Sequence, residues 1–260
     1  MSDPVLLSVD DGVATVTLNR VKEHNSFDAA AGEAFIAVLG RVAADPAVRV
    51  TVIGAKGPSF SAGGDFNWVL TWPSQTPAQN KAGALVMTRA VQAVYDMPMP
   101  TIARVQGAAV GGGVGVALAC DYVVASDRAR FGLTSVRNGL LAGIAITVLI
   151  QTVGPRKARQ LLMHGGIFDV EEARRIGMVD RVAAPESLDI EVAKLAAELK
   201  LGAPSVQALI KRLVTAMDAA PNDAGMVELV ASNVAEQCLT PDAQEGMAAF
   251  LQKRKPRWVT

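Results

Sequence analysis

Thr101-Ile102-Ala103-Arg104-Val105, then Gln106-Gly107-Ala108-Ala109-Val110, then Gly111-Gly112-Gly113-Val114-Gly115-Val116-Ala117-Leu118-Ala119-Cys120: the fold turns on how this stretch is read. Its first five residues are apolar and β-branched enough for a strand. The triple glycine opens a helix that runs to about Cys120, and 122–125 is the next buried strand. Strand and helix therefore alternate through the middle of the chain, which argues an α/β fold with a layered core.

Working outward, 5–9 and 13–18 are β-branched runs joined by Asp10-Asp11-Gly12, a hairpin signal. Residues 27–44 read as a helix, with Ala34, Phe35, Val38, Leu39 and Val42 at helical spacing, stopped by Asp45-Pro46. A buried strand over 49–55 and a loop of Gly, Ser and Pro over 56–64 follow. The helix over 76–96 ends at Met97-Pro98-Met99-Pro100. After Gly143 the pattern is helical apart from a short strand at 179–182, with Asp169 and Glu172 spaced as a capping box. Helices are expected over 186–200, 204–219, 224–236 and 241–253, the last capped by Thr240-Pro241. The reading is an α/β core over residues 1–200 and a helical region over 201–260 that packs on that core or on a neighbour.

Composition narrows the function. The chain has 260 residues, half of them hydrophobic, with 25 basic and 25 acidic side chains. A balanced charge gives no electrostatic footprint for nucleic acid or anionic lipid. Two distant cysteines, Cys120 and Cys238, are neither a disulfide framework nor a zinc site and fit a reducing compartment. Two histidines, His24 and His164, argue against a multi-histidine metal centre, so no metal is expected. The start, Met1-Ser2-Asp3-Pro4, is not a signal peptide, and the greasiest stretches, 107–120 and 139–150, fall short of the roughly 18–20 residues of a spanning helix. The expectation is a soluble, cytoplasmic protein without a membrane partner.

Two loops carry the chemistry. The run Gly111–Gly115 fails as a dinucleotide fingerprint, because Leu118 stands where the third glycine belongs and Ser135 cannot serve as the ribose-binding acid. What remains is a glycine-rich helix N-terminus whose unpaired N–H groups can approach an oxyanion. Close helix–strand packing is the alternative use of the same glycines. Ser59-Phe60-Ser61-Ala62-Gly63-Gly64-Asp65 has the same character after its own strand. Two such turns can place two N–H donors on one oxygen, which suits a thioester carbonyl becoming an enolate.

With these loops the chain resembles the crotonase superfamily, the enoyl-CoA hydratase/isomerase group. The likeness runs through 19–26, Phe60-Ser61-Ala62-Gly63-Gly64-Asp65, Pro100-Thr101-Ile102-Ala103, Gly111–Gly113, Ala117-Leu118-Ala119-Cys120-Asp121, Phe131-Gly132, 168–182 and 250–256. The resemblance implies a spiral core of ββα units, a helical C-terminal trimerisation region, and a homotrimer or hexamer. It implies an acyl-CoA thioester as substrate and no further cofactor. By matching position, the amides of Gly64 and Gly112 are the oxyanion donors. Lys22, the backbone near Ala62, Phe250 and Lys253 lie near CoA, although Lys22 and Lys253 also read as solvated surface lysines. Trp68 and Trp72 line the acyl pocket or simply pack.

The match breaks at the acids. The family's hydratases place one glutamate where Gly115 stands and another where Ser135 stands, and many isomerases place an aspartate near Gly143. Between Asp96 and Asp169 the only acids are Asp121 and Asp127, and neither matches those positions. Asp65 adjoins the first oxyanion loop but is common in the family whatever the reaction. Thr134, Ser135, Arg137 and Asn138 cluster at the second acid position. Arg137 can hold a substrate carboxylate or form a surface ion pair. The run Phe131-Gly132-Leu133-Thr134 with Arg137 is similar to that of branched-chain hydratases whose substrates carry a distal carboxylate. The sequence thus points to an acyl-CoA enzyme of atypical reaction, with Ser135 as the replacement side chain. A CoA-thioester binder with little turnover and a C–C bond-cleaving or decarboxylating enzyme are the alternatives.

Overall fold

The structure is a computed structural model, and it describes residues 3–218 and 223–259. Strands β1 (Val5–Asp10) and β2 (Val13–Leu18) form an antiparallel hairpin in which Asp10 faces Val13. Asp11 and Gly12 both take positive φ, 44° and 72°, as the two-residue turn between twisted strands requires. Helix α1 (Ala29–Ala43) is capped by Asp28, whose carboxylate accepts from the Ala31 N–H.

From there the chain repeats one move. It lays down a strand in a first sheet, a short strand in a second sheet, and then helix. The units are β3 (Val50–Ala55), β4 (Ser59–Ser61) with α2 (Phe66–Val69) and α3 (Pro77–Tyr95); β5 (Thr101–Val105), β6 (Ala108–Val110) with α4 (Gly112–Ala119); and β7 (Tyr122–Ser126), β8 (Arg130–Gly132) with α5 (Gly143–His164). The result is a ββα spiral. Strands β9 (Ile167–Asp169) and β10 (Arg181–Ala183) then complete the sheets, separated by α6 (Val170–Arg175). The first sheet has the order β1-β2-β3-β5-β7-β10 and the second β4-β6-β8-β9.

Three expectations need correction. The loop expected over 56–64 contains β4, the stretch between β5 and the triple glycine contains β6, and the segment after Gly143 contains β9 as well as β10. Each of β4, β6, β8 and β9 has only three residues. That is too short for alternation to show, and pairing with neighbours rather than propensity makes them strands. Asp169 does cap α6 through the Glu172 N–H (2.9 Å), but the Glu172 side chain turns to Arg175 instead of closing the box.

The middle of the first sheet is buried on both faces, which is why β3, β5 and β7 read as largely apolar runs, with Arg104 the one charged residue among them. Phe35, Ile53, Phe60, Met87 and Phe131 fill the space on one side. Helix α7 (Leu188–Leu199) covers the other with Leu188, Val192 and Leu195 on Val50, Ile102 and Val124. Helices α8 (Pro204–Asp218), α9 (Ala224–Gln237) and α10 (Pro241–Leu251) follow, and the expected end of α8, Ala219, lies outside the described residues. Lys211 ties α8 to the core through Asp121 (2.7 Å), and Arg49 donates to the carbonyls of Lys200, Gly202 and Trp258. Among the described residues no helix is long and apolar enough to cross a membrane.

Beyond α10 the chain folds back as a clasp. Arg254 grips Glu245 with two hydrogen bonds (2.6 and 3.0 Å), and the Arg257 N–H adds a third at 2.9 Å. The Arg254 guanidinium, helped by that N–H, holds the Glu245 carboxyl at about 2 rather than 4.5. A depressed folded value means the clasp stabilises fully above the unfolded pKa and is lost as pH falls through the folded one. We expect Glu245→Gln to be less stable than the parent at neutral pH, with the gap closing between about pH 4.5 and 2, read from thermal midpoints. A gap that persists at the acid end would refute the clasp.

Candidate active site

The first glycine loop is fastened to the turn over residues 20–27. His24 and Asn25 are both left-handed there, with φ of 50° and 55°. Asparagine tolerates that conformation better than most residues. Buried Asn25 uses its whole side chain: Oδ1 accepts from the Arg20 N–H, and Nδ2 donates to the carbonyls of Lys56 and Ser59, each at 2.9 Å. Its carbonyl accepts from Ser61 Oγ (2.8 Å), which in turn accepts from the Gly63 N–H (3.1 Å). The Ala62 N–H donates to the His24 carbonyl, and Phe27 brackets Gly64 by donating to Gly63 and accepting from Asp65. That pattern points the Gly64 N–H away from Phe27, and it has no acceptor among the described residues.

The second loop interlocks with the first. A Cβ on Gly63 would stand 2.7 Å from both the Gly112 nitrogen and the Val110 oxygen, and one on Gly113 would stand 2.3 Å from the Ser61 oxygen. Only glycine permits such approach. The Gly111 N–H donates to Gly132 (2.8 Å), which anchors the turn to β8. Gly112 is the first residue of α4, so its N–H belongs to the unpaired, partly positive helix end, and it too has no acceptor among the described residues. Two free N–H groups thus lie on backbones in van der Waals contact.

None of the three positions expected to hold an acid carries a carboxylate. Gly115 is buried in α4, and a Cβ there would stand 3.2 Å from Val91 Cγ2 and 3.3 Å from Ala145 Cα. A side chain at Gly115 would therefore press closely on α3 and on the backbone of α5. Ser135 lies in a short 3₁₀ turn, Thr134–Asn138, with its Oγ 3.8 Å from where a Gly111 Cβ would be and without a hydrogen-bond partner among the described residues. Gly143 begins α5 and carries no side chain for the third position. Asp65 is 7% exposed and committed: Oδ1 caps α2 through the Asn67 N–H (3.0 Å), and Oδ2 pairs with Arg20 (3.2 Å). Burial pushes the Cys120 thiol up, helped by Asp121, so it stays protonated.

The other expected residues fall at the periphery. Lys22 is exposed on a 3₁₀ turn and forms no ion pair among the described residues, and Ala62 is exposed beside the same turn. Arg137 also forms no ion pair among the described residues, which leaves the surface-pair alternative without a partner; its side chain lies over Gly165 and Gly166. Trp68 packs on Trp72. Phe250 (83% exposed) and Lys253 stand at the end of α10, which packs on α8, and no hydrogen bond or ion pair joins either side chain to the glycine loops. His24 Nδ1 lies 3.1 Å from Ser59 Oγ, a structural contact. The stretch 19–26 marks Arg20 and Asn25 in the sequence without giving either a role, and Gly83 and Met87 stand outside every motif. The His24-Asn25 pair ahead of an N-cap Asp is a weak signal for Asn25, and Gly83 and Met87 leave none.

A family model described as enoyl-CoA hydratase/isomerase matches residues 8–260. (E)-benzylidenesuccinyl-CoA hydratase of Thauera aromatica is 34% identical over 259 residues, spanning 97% of this chain and 98% of that one. Crotonyl-CoA hydratase of Syntrophomonas wolfei is 31% identical over 262 residues, spanning 98% of each. Among solved structures, an enoyl-CoA hydratase of Mycobacterium smegmatis is similar with a TM-score of 0.92 at 29% identity over 100% of both chains.

Proposed function

Because the chain belongs to the enoyl-CoA hydratase/isomerase family, we propose that it binds an acyl-CoA thioester with the carbonyl oxygen on the N–H groups of Gly64 and Gly112 and stabilises the derived enolate. One observation carries this: two unpartnered N–H groups on interlocked backbones, one of them at a helix N-terminus. Each such donor is typically worth about 10²–10³ in rate. The names of the similar proteins support a CoA thioester as the ligand class. Unpaired Lys22 and the backbone of Ala62 flank the loop on the side proposed for CoA. Phe250 and Lys253 would join from the C-terminal end. Exposed Val214, Val227, Val234 and Leu251 on α8, α9 and α10 support assembly as a homotrimer or hexamer.

The reaction is read as atypical. Hydration by two carboxylates needs a base for water and an acid for Cα, each worth ~10²–10⁴. Here one position is a glycine pressed closely by α3 and α5, and the other offers only the Ser135 hydroxyl, a poor base without a partner. The packing at Gly115 favours a second reading, bond cleavage or decarboxylation, in which the C–C electron pair passes into the thioester enolate and water returns a proton to Cα. Arg137, without a carboxylate partner among the described residues, is available to a carboxylated acyl group. A mass-spectrometric screen with enoyl-, 3-oxoacyl- and malonyl-type CoA thioesters tests both. Hydration of crotonyl-CoA at the rate of a two-glutamate hydratase would overturn the atypical chemistry. Thermal stabilisation by thioesters without product from any of them would leave a binding protein.

A further inference from the structure

Helices α3 and α4 lie side by side and run the same way: Met87 meets Gly112, and one turn on Val91 meets Gly115. α4 starts at Gly112, whereas α3 starts at Pro77, so the first turns of α3 extend past the end of α4, on the side of the free Gly112 N–H. Gly83 precedes Met87 by four residues and shares its face of α3. It stands about 6 Å further out along the axis. Aromatic rings occupy that space. A Cβ on Gly83 would be 2.9 Å from Cζ2 of Trp68 and 3.3 Å from Cζ2 of Trp72.

The rings are held in place. They meet edge to face with centroids 5.3 Å apart. Asn80 Nδ2 donates to the Trp72 carbonyl (3.0 Å), and a capping box between Thr76 and Gln79 fixes the start of α3 behind them. The other ways out from Gly112 differ in character. The body of α4 is closed at Gly115, residues 24–27 occupy the far side of the first loop, and the Ser135 side is polar. The side along α3 is apolar, with Met87 against Gly112 and the two indoles against Gly83.

We infer that Trp68 and Trp72 form the end wall of the acyl pocket and restrict the protein to short acyl-CoA thioesters. This rests on the thioester reading above. Gly83 is only about 6 Å along α3 from Met87, which touches Gly112, so rings seated at Gly83 stop an acyl chain that starts on the two amides after a few carbons. Trp68 is a specificity-determining residue in this arrangement, and Gly83 is the notch that lets the indoles sit back from the carbonyl site.

Titration calorimetry with free CoA and with butanoyl-, hexanoyl-, octanoyl- and decanoyl-CoA tests this. Affinity should rise about fourfold per methylene until the wall is met, then fall, leaving decanoyl-CoA at least about tenfold weaker than the optimum. Trp68→Ala should move the optimum two or more carbons longer, with Trp72→Leu as the alternative if that variant fails to fold. Gly83→Ala, which presses on the ring tip, should move it shorter. Affinity that climbs steadily to decanoyl-CoA in the parent, or a profile unchanged by removing the indole, overturns the wall. Binding of neither CoA nor any thioester would remove the thioester reading and the wall together, whereas CoA binding with equal affinity at every length would remove the wall alone.

Discussion

Gly63→Ala will lose acyl-CoA binding and a large part of its stability. The residue sits at φ +86°, where a side chain strains the backbone by about 1–3 kcal/mol. Its new Cβ would also lie 2.7 Å from two backbone atoms, the Gly112 nitrogen and the Val110 oxygen. Neither can swing aside as a side-chain tip can. Relief requires moving the β6–α4 turn, and such overpacking costs about 1–3 kcal/mol more. The sum is a sizeable share of the roughly 5–15 kcal/mol by which a domain is stable. Because the displaced atom is itself one of the two proposed donors, binding should fall even where the fold survives. Denaturant midpoints and thioester-dependent thermal shifts measure the two effects separately. A variant with parental stability and parental thioester binding would show that the loops do not interlock as described.

The second large effect concerns the acids. Restoring glutamate at the two usual positions should give opposite outcomes. Ser135→Glu should fold, because Ser135 is half-exposed in a short 3₁₀ turn and its hydroxyl has no hydrogen-bond partner to lose among the described residues. It should raise crotonyl-CoA hydration over the parent by about 10² or more, the lower end of what one positioned acid–base group contributes. Gly115→Glu should not fold stably. Its side chain would have to displace Val91 and the Ala145 backbone and would bring an unpaired carboxylate into a helix with no exposed residue. The double variant should therefore be no better than Ser135→Glu alone. A well-folded Gly115→Glu protein with restored hydration would refute the closure of that position.

Much of this was legible in the amino-acid order. The hairpin showed in Asp11-Gly12, and β3, β5 and β7 showed as apolar runs because both faces of their sheet are covered. The scarcity of acids in the middle of the chain, with only Asp121 and Asp127 between Asp96 and Asp169, was legible directly. What was not visible depends on residues far apart in the chain. The second sheet escaped because its strands are too short for periodicity and take their register from neighbours. Asp65 could be read only as adjoining the glycine loop; that Arg20, 45 residues earlier, and the N-terminus of α2 claim its oxygens is a matter of tertiary contact. That Gly115 is closed rather than merely empty depends on Ala145 and Val91, brought in by two other helices. The wall above Gly112 follows from where α3 begins relative to α4, which no motif records.

The sheet borders carry a consequence of their own. An unpaired strand edge is a template for adding a strand from another molecule. In the first sheet one border is β10, with three residues, and the other is β1, which runs into Asp10 and Asp11. In the second, β9 is equally short and β4 is sealed by the turn over 24–27. Three of the four borders are therefore short or sealed, and β1 is the one six-residue edge, ended by Asp10 and Asp11. Growth by strand addition would have to begin there, against the charge of those two aspartates.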